Sequence, residues 1–291
     1  NAGAKSTEDD QQTSPTASVK ALPASNTDTY DFSFINALKQ RLYSNLQLQV
    51  PLPLVNLTQS EAIYYKENVV VSVDGALDIA MATVHQNNTL WRMHRKRRIT
   101  ASRCYELFTY CNNANPNWPR KIDSLINSTF TGNAATDYGN SCESLARQVY
   151  QCQYGQVHST GLLINPSIPW LGFSPDGLKM HSGVIYKLIE IKCPVLGKTS
   201  GVEGFISELP YLKYDNQQLF PYCLNTNHKY YGQVQLAMFL LNIELCDFVI
   251  FSSFDNSIFV IEVERDDVFL QALITKLHYV YFRYYLKMLS S

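Results

Sequence analysis

The most constraining stretch of this chain runs from Leu171 to Lys192. It opens with Gly172-Phe173-Ser174-Pro175-Asp176-Gly177, passes through His181-Ser182-Gly183, and closes on Glu190-Ile191-Lys192. Turn residues between two apolar runs read as a β-hairpin. Side chains alternate along a strand, so Glu190 and Lys192 share a face. Asp176 is expected at the end of the first strand, beside the turn. The hairpin therefore gathers two carboxylates and an ammonium. Paired carboxylates repel each other and tend to protonate unless a cation joins them. A hard divalent ion such as Mg2+ takes oxygen ligands and keeps several waters for chemistry. Lys192 would then act on a water or steady the charge of a scissile phosphate. This is the layout of a metal-dependent phosphodiesterase site, although the same residues alone also describe solvated strand ends.

Three further segments bear on that choice. Asn140-Ser141-Cys142-Glu143 opens a helix expected over 140–150, with Leu145 and Val149 on one face. Glu143 in its first turns either points a third carboxylate at the metal or answers the helix dipole. Tyr230-Tyr231-Gly232-Gln233-Val234-Gln235 lies in an apolar helix, and a buried amide needs partners. Gln233 facing a polar site would meet that need; an exposed helix edge would too. In Trp91-Arg92-Met93-His94-Arg95-Lys96-Arg97-Arg98, read as a helix, Trp91, Arg95 and Arg98 share a face. Ser102 then begins or caps a helix over 103–110 whose amides suit an anion. Arginine beside a helix N-terminus makes a phosphate pocket. The basic run also fits a solvated face or a nuclear localisation patch.

In this order the motifs resemble the lambda-exonuclease-like (YqaJ viral recombinase) branch of the PD-(D/E)XK nuclease superfamily. The resemblance rests on Trp91, Arg95 and Ile99-Thr100-Ala101-Ser102, then Gly139 with Glu143. It continues through Ser174-Pro175-Asp176-Gly177-Leu178, Glu190-Ile191-Lys192-Cys193-Pro194, and Tyr230 with Gln233-Val234-Gln235. The runs Ile250-Phe251-Ser252 and Phe259-Val260-Ile261-Glu262 match the family's closing strand pair. Five ordered motifs spread over about 88–286 make the resemblance specific.

The resemblance implies a Mg2+-dependent exodeoxyribonuclease, with Mn2+ as a substitute, acting 5′ to 3′ on double-stranded DNA ends in recombination, repair or viral and transposon DNA processing. Asp176 and Glu190 would bind the metal, with the Ile191 carbonyl as a further ligand. Glu143 would complete a second metal position or orient water. Lys192 would act on the nucleophilic water, and Gln233 would support the site. Arg95, Ser102 and Ser174 match positions that grip a terminal 5′-phosphate, with Trp91 and Arg98 beside them. Lys198 stands where the phage enzyme has an arginine, which supplies charge without a bidentate fork. Relatives work as rings of three, so a homotrimer is implied, and a single-strand annealing protein is the expected partner. The implied fold is α/β (α+β): a central mixed sheet flanked by helices, the restriction-endonuclease-like PD-(D/E)XK core.

Composition is consistent with this. The 291 residues carry a net charge of −1, so attraction to nucleic acid must be local, as at 92–98, and not a basic shell suited to long DNA. Seven cysteines without a C-x-x-C pair fit neither zinc ribbon nor disulfide framework and suggest reduced thiols in an intracellular compartment, with the nucleus indicated by the basic run. No apolar run reaches membrane-spanning length, so no membrane partner is expected. The chain starts at Asn1 without a signal-like segment, as a piece of a longer polypeptide would. Residues 1–29 are polar and expected to be disordered. Residues 30–85 read as a helical accessory extension, with a helix over 32–46 and another running from Leu77 toward Trp91. Residues 86–291 read as the nuclease domain, ending in a helix over 267–289. Two rival uses of the site remain: an endonuclease for structured DNA, and a silent module that only binds DNA ends.

Overall fold

A computed structural model describes residues 31–44, 46, 48–127, 132–214 and 221–291. The segment expected to be disordered, 1–29, lies outside the described residues. The chain begins with α1 (Phe32–Tyr43), α2 (Gln59–Asn68, closed by a Thr58/Glu61 capping box), α3 (Val73–Ala82) and α4 (Thr89–Lys96, capped by Asn88). Strand β1 (Ile99–Thr100) leads into α5 (Ala101–Tyr110), α6 (Trp118–Ile126) and the long α7 (Ala134–Tyr154). Next come β2 (Leu171–Gly172), β3 (Gly177–His181) and β4 (Val184–Lys192), a short α8 (Val202–Phe205), β5 (Leu212–Tyr214) and β6 (Tyr222–Leu224). The chain closes with α9 (Lys229–Leu241), β7 (Leu245–Phe251), β8 (Ile258–Glu264), α10 (Asp267–Val280), a π turn at Tyr281–Tyr285 and α11 (Leu286–Leu289).

The central sheet is mixed, in the order β3-β4-β7-β8: β3 and β4 pair antiparallel, β4 and β7 parallel, β7 and β8 antiparallel. Ser182 and Gly183, both at positive φ, turn the β3–β4 hairpin, as two-residue hairpin loops require. One sheet face packs on α7. Tyr138, Cys142, Ala146 and Tyr150 recur every fourth residue of that helix and meet Ile189, Ile191, Val249 and Phe251. The other face carries α9, which is buried almost all round between the sheet and α5. The expected α/β architecture is the observed one.

Several boundaries differ from the sequence reading. Residues 31–291 form one compact unit. Arg41 of α1 donates from Nε to the Ile185 carbonyl of β4 and from Nη1 to the Asn242 carbonyl, both at 2.8 Å. The helix expected to run toward Trp91 stops at Ala82. There the Thr83 hydroxyl bonds the Ile79 carbonyl and accepts from the Leu162 N–H, and Asn87 takes positive φ. Helix α7 starts six residues earlier than expected, capped by Asn133. Asp176 lies just before β3, at the far end of the hairpin from the turn.

Arg98 is the main correction. Helix α4 ends at Lys96, so Arg98 leaves the face of Trp91 and Arg95. It is 1% exposed, and its guanidinium donates to the carbonyls of Pro169 (2.8 Å), His94 (3.1 Å) and Val69 (2.7 Å). Such a group joins three chain segments and reaches no nucleic acid. Beside it, burial and then the cations Arg98 and Arg97 push the His94 imidazole down to about 4. A folded-state value below the usual 6.5 means that the native protein binds fewer protons than the unfolded chain. This contribution is complete above the unfolded value and is lost as pH falls toward the folded one. The thermal midpoint is therefore expected to fall between pH 6.5 and 4, and His94→Gln to make that fall shallower by about one proton's share. Superimposable pH profiles in a melting series would contradict this.

Candidate active site

The site is built at the C-terminal end of β4. Ile189 and Ile191 point into the α7 core, which turns Glu190 and Lys192 to the opposite face, toward α9. There Lys192 Nζ pairs with Glu190 Oε1, and Gln233 Nε2 donates to the same oxygen at 2.5 Å. Gln235, fully buried two residues on, donates to the Glu264 carbonyl at 2.8 Å and accepts from the Asp266 N–H at 2.7 Å. One glutamine thus faces the site, while the other ties α9 to the β8–α10 junction.

Asp176, the residue just before β3, reaches the same place. Its Oδ2 accepts the Ile191 N–H at 2.7 Å. Gly177 follows because a Cβ there would come within 2.2 Å of Val157 Cγ1. Glu143 sits in the third turn of α7, too far from the helix start for the dipole reading. Arg147, one turn on, pairs with it at 2.5 Å. Burial raises the Glu143 carboxyl, Asp176 adds to the shift, and Arg147 and Lys192 oppose it. Burial also raises Glu190; Lys192 opposes that shift, while Asp176 and Glu143 add to it. Burial alone would lower the Lys192 ammonium, but Glu190 and Asp176 outweigh it and hold the group above the ordinary lysine range. Lys192 is therefore a fixed cation, lying 4.7 Å from the centre of the Tyr230 ring.

A second group assembles through β1 and β2. Their parallel pairing, Thr100 opposite Gly172, sets the start of α5 beside Ser174. Trp91 Nε1 donates to Ser174 Oγ at 2.9 Å, and Arg95 Nη2 donates to Ser102 Oγ at 3.2 Å. The Arg95 guanidinium stacks 4.2 Å from the Trp91 ring centre. Burial and then Arg103 lower it to about 10, and among the described residues it has no carboxylate partner. A desolvated guanidinium with no internal counter-charge, beside the first amides of α5, favours an anion.

Both groups open into one cleft of about 700 Å3, lined by Trp91, Arg95, Ser102, Glu143, Ser174, Asp176, Glu190, Ile191, Lys192 and Gln233. A narrow recess of about 20 Å3 runs between Arg95, Ser102, Ser174, Glu190 and Gln233. Two expected residues are not in the cleft lining. Arg98 is buried as described, and Lys198 is exposed on a 3-10 turn with Nζ 4.7 Å from the centre of the Tyr138 ring. Arg147, Tyr211, Lys229 and Tyr230 stand outside the residues expected to act at the site, and the last three also line the cleft. Spacing of four residues from Glu143 signals Arg147; nothing in the sequence signals Tyr211.

Among the described residues no three His, Cys, Asp or Glu side chains are gathered into a ready metal cage. The donor chemistry nevertheless fits a hard divalent ion. Burial raises Glu143 and Glu190, Asp176 adds to both shifts and Glu143 adds to that of Glu190, and a cation among the three would relieve that repulsion.

A mixed sheet with acid, acid and lysine converging at its β3–β4 hairpin defines a PD-(D/E)XK-type fold. The chain belongs to the YqaJ-like viral recombinase domain family, whose model matches residues 90–241. Among curated proteins, none matches the chain. Among solved structures, an alkaline exonuclease (LHK-Exo) from Laribacter hongkongensis is 25% identical at a TM-score of 0.50, covering 69% of this chain and 96% of that one. The same enzyme in complex with dAMP is likewise 25% identical at a TM-score of 0.50, over 70% of this chain and 94% of that one. A phage related exonuclease from Haemophilus somnus 129PT is 14% identical at a TM-score of 0.44, over 66% and 95%. Among the described residues, no helix is long and apolar enough to cross a membrane.

Proposed function

We propose that this protein is a Mg2+-dependent exodeoxyribonuclease that digests double-stranded DNA from a 5′-phosphorylated end and releases 5′-mononucleotides. The observation that carries the reading is the single cleft joining Asp176, Glu190 and Lys192 to the Arg95 recess. Family membership and the likeness to LHK-Exo, seen elsewhere with dAMP, support it. Asp176, Glu190 and the Ile191 carbonyl would hold the ion, with Glu143 completing the set. When bound, the ion supplies Lewis-acid polarisation of the scissile phosphate. Gln233 fixes the rotamer of Glu190 by its amide hydrogen bond. Lys192, kept as an ammonium, stabilises charge on the phosphate as it develops. Arg95, Ser102 and Ser174 would hold the terminal 5′-phosphate in the recess, placing the next phosphodiester over the carboxylates. Double-stranded DNA ends are the proposed substrate, an annealing protein and two further copies of this chain the proposed partners.

The test uses linear duplexes that differ only in 5′-phosphate or 5′-hydroxyl ends, with a closed circle, in Mg2+. Mononucleotide release from the phosphorylated duplex with the circle spared is expected. Cutting of the circle would favour an endonuclease, and end binding without hydrolysis a silent module. In Arg95→Ala the preference for phosphorylated ends is expected to drop by about 10-fold or more, the worth of one charge-assisted hydrogen-bonded pair. An unchanged ratio would remove Arg95 from end recognition.

A further inference from the structure

One group on the wide part of the cleft has no role in the chemistry above. Tyr211, where the chain enters β5, is 7% exposed, and its hydroxyl has no hydrogen-bond partner among the described residues. A buried hydroxyl left unpaired costs about 1–3 kcal/mol, so its position demands a partner. The ring is held edge-on by Tyr230 at 5.1 Å and Phe248 at 5.8 Å, and tilted against His228 at 5.6 Å. That packing limits where the hydroxyl can go. Tyr211 lines the cleft together with Lys192, Lys229 and Tyr230, but it does not line the Arg95 recess. Burial and then Tyr230 raise its phenol, with Lys192 opposing, so it stays a neutral donor at physiological pH.

We propose that the Tyr211 hydroxyl donates a hydrogen bond to a non-bridging oxygen of the scissile phosphodiester, beside the Lys192 ammonium. The inference rests on the nuclease reading and adds a substrate contact from the segment between β4 and α9. A partner with acceptor oxygens and negative charge suits both neighbours, the phenol O–H and the lysine. Because Tyr211 lies outside the recess, its contribution is independent of what occupies the 5′ end.

Tyr211→Phe removes the hydroxyl alone. Single-turnover rates in Mg2+ are expected to fall about 10-fold or more, by the same factor on 5′-phosphorylated and 5′-hydroxyl duplexes. The thermal midpoint of the free protein is expected to hold or rise, because an unpaired buried hydroxyl has gone. A rate loss below about threefold, too small for a lost hydrogen bond to a charged group, would overturn the proposal. So would a loss confined to phosphorylated ends, or a lowered midpoint, which would assign the hydroxyl to the fold. If the parent protein hydrolyses no duplex, the nuclease reading fails by itself. The contact is then judged by affinity for duplex ends in Ca2+: weaker binding by Tyr211→Phe at an unchanged midpoint supports it, and equal binding overturns it.

Discussion

Lys192→Ala is expected to cut the single-turnover rate of duplex digestion by about 10^3-fold, the size of effect seen when a preorganised charge donor is removed from a dry site. The lysine is half-buried, paired with Glu190 and held near the Tyr230 ring, whereas Lys229, against the same ring, has no ion-pair partner among the described residues. Asp176→Asn is expected to be comparably inactive for a different reason. Its amide oxygen still accepts the Ile191 N–H, but the negative charge that would hold a divalent ion is gone. Both variants should fold. In Lys192→Ala the exposed cost is an unpaired Glu190, and burial has already raised that carboxyl toward its neutral form. The measurement is nucleotide release in Mg2+ alongside a melting curve. Turnover within about tenfold of the parent, with midpoints unchanged, would sink the assignment, since a residue central to charge stabilisation contributes more than that.

Arg98→Ala has its large effect on stability. Removing the guanidinium strips partners from carbonyls in the loop after α2, in α4 and in the loop before β2. Hydrogen bonds to a charged group contribute about 1.5–3 kcal/mol each, and leaving several buried acceptors unmet is expected to cost roughly 3–5 kcal/mol in total. At about 2–4 °C per kcal/mol for a domain of this size, the midpoint should fall by about 10 °C. Arg98→Lys should be rescued little, because one ammonium cannot span three carbonyls that a planar fork reaches. The competing expectation, a DNA-contacting Arg98, predicts the reverse: an unchanged midpoint with weaker duplex binding. Melting and end-binding measurements on the same two variants separate the cases.

The β3–β4 hairpin, Gly177 to Lys192, was readable because strand alternation and turn chemistry are local rules. They set Glu190 and Lys192 on one face without reference to the rest of the chain. The position of Asp176 along the hairpin needed the pairing of Gly177 with Ile189, a register that the residues alone do not state. Helical periodicity placed Arg98 with Arg95, and it failed because α4 ends two residues before Arg98 where β1 must pair with β2. A basic residue in a basic run gives no local sign that backbone carbonyls from three segments will surround it. Lys198 shows the same limit, since matching position in a motif does not fix which way a 3-10 turn faces.

By itself, then, the sequence determined the class of chemistry: two acids, a lysine and a glutamine in an order and spacing that only a few architectures can bring together. The tertiary structure alone decided which cations remain in the cleft, that Lys192 stays charged, and that Tyr211 closes one wall. The physical reason is burial. Local patterns determine which side chains share a strand face or a helix face, but charge state and partner choice depend on the solvent each group loses. That loss is set by segments distant in sequence, α7, α9 and the stretch before β5, packing around one end of a four-stranded sheet.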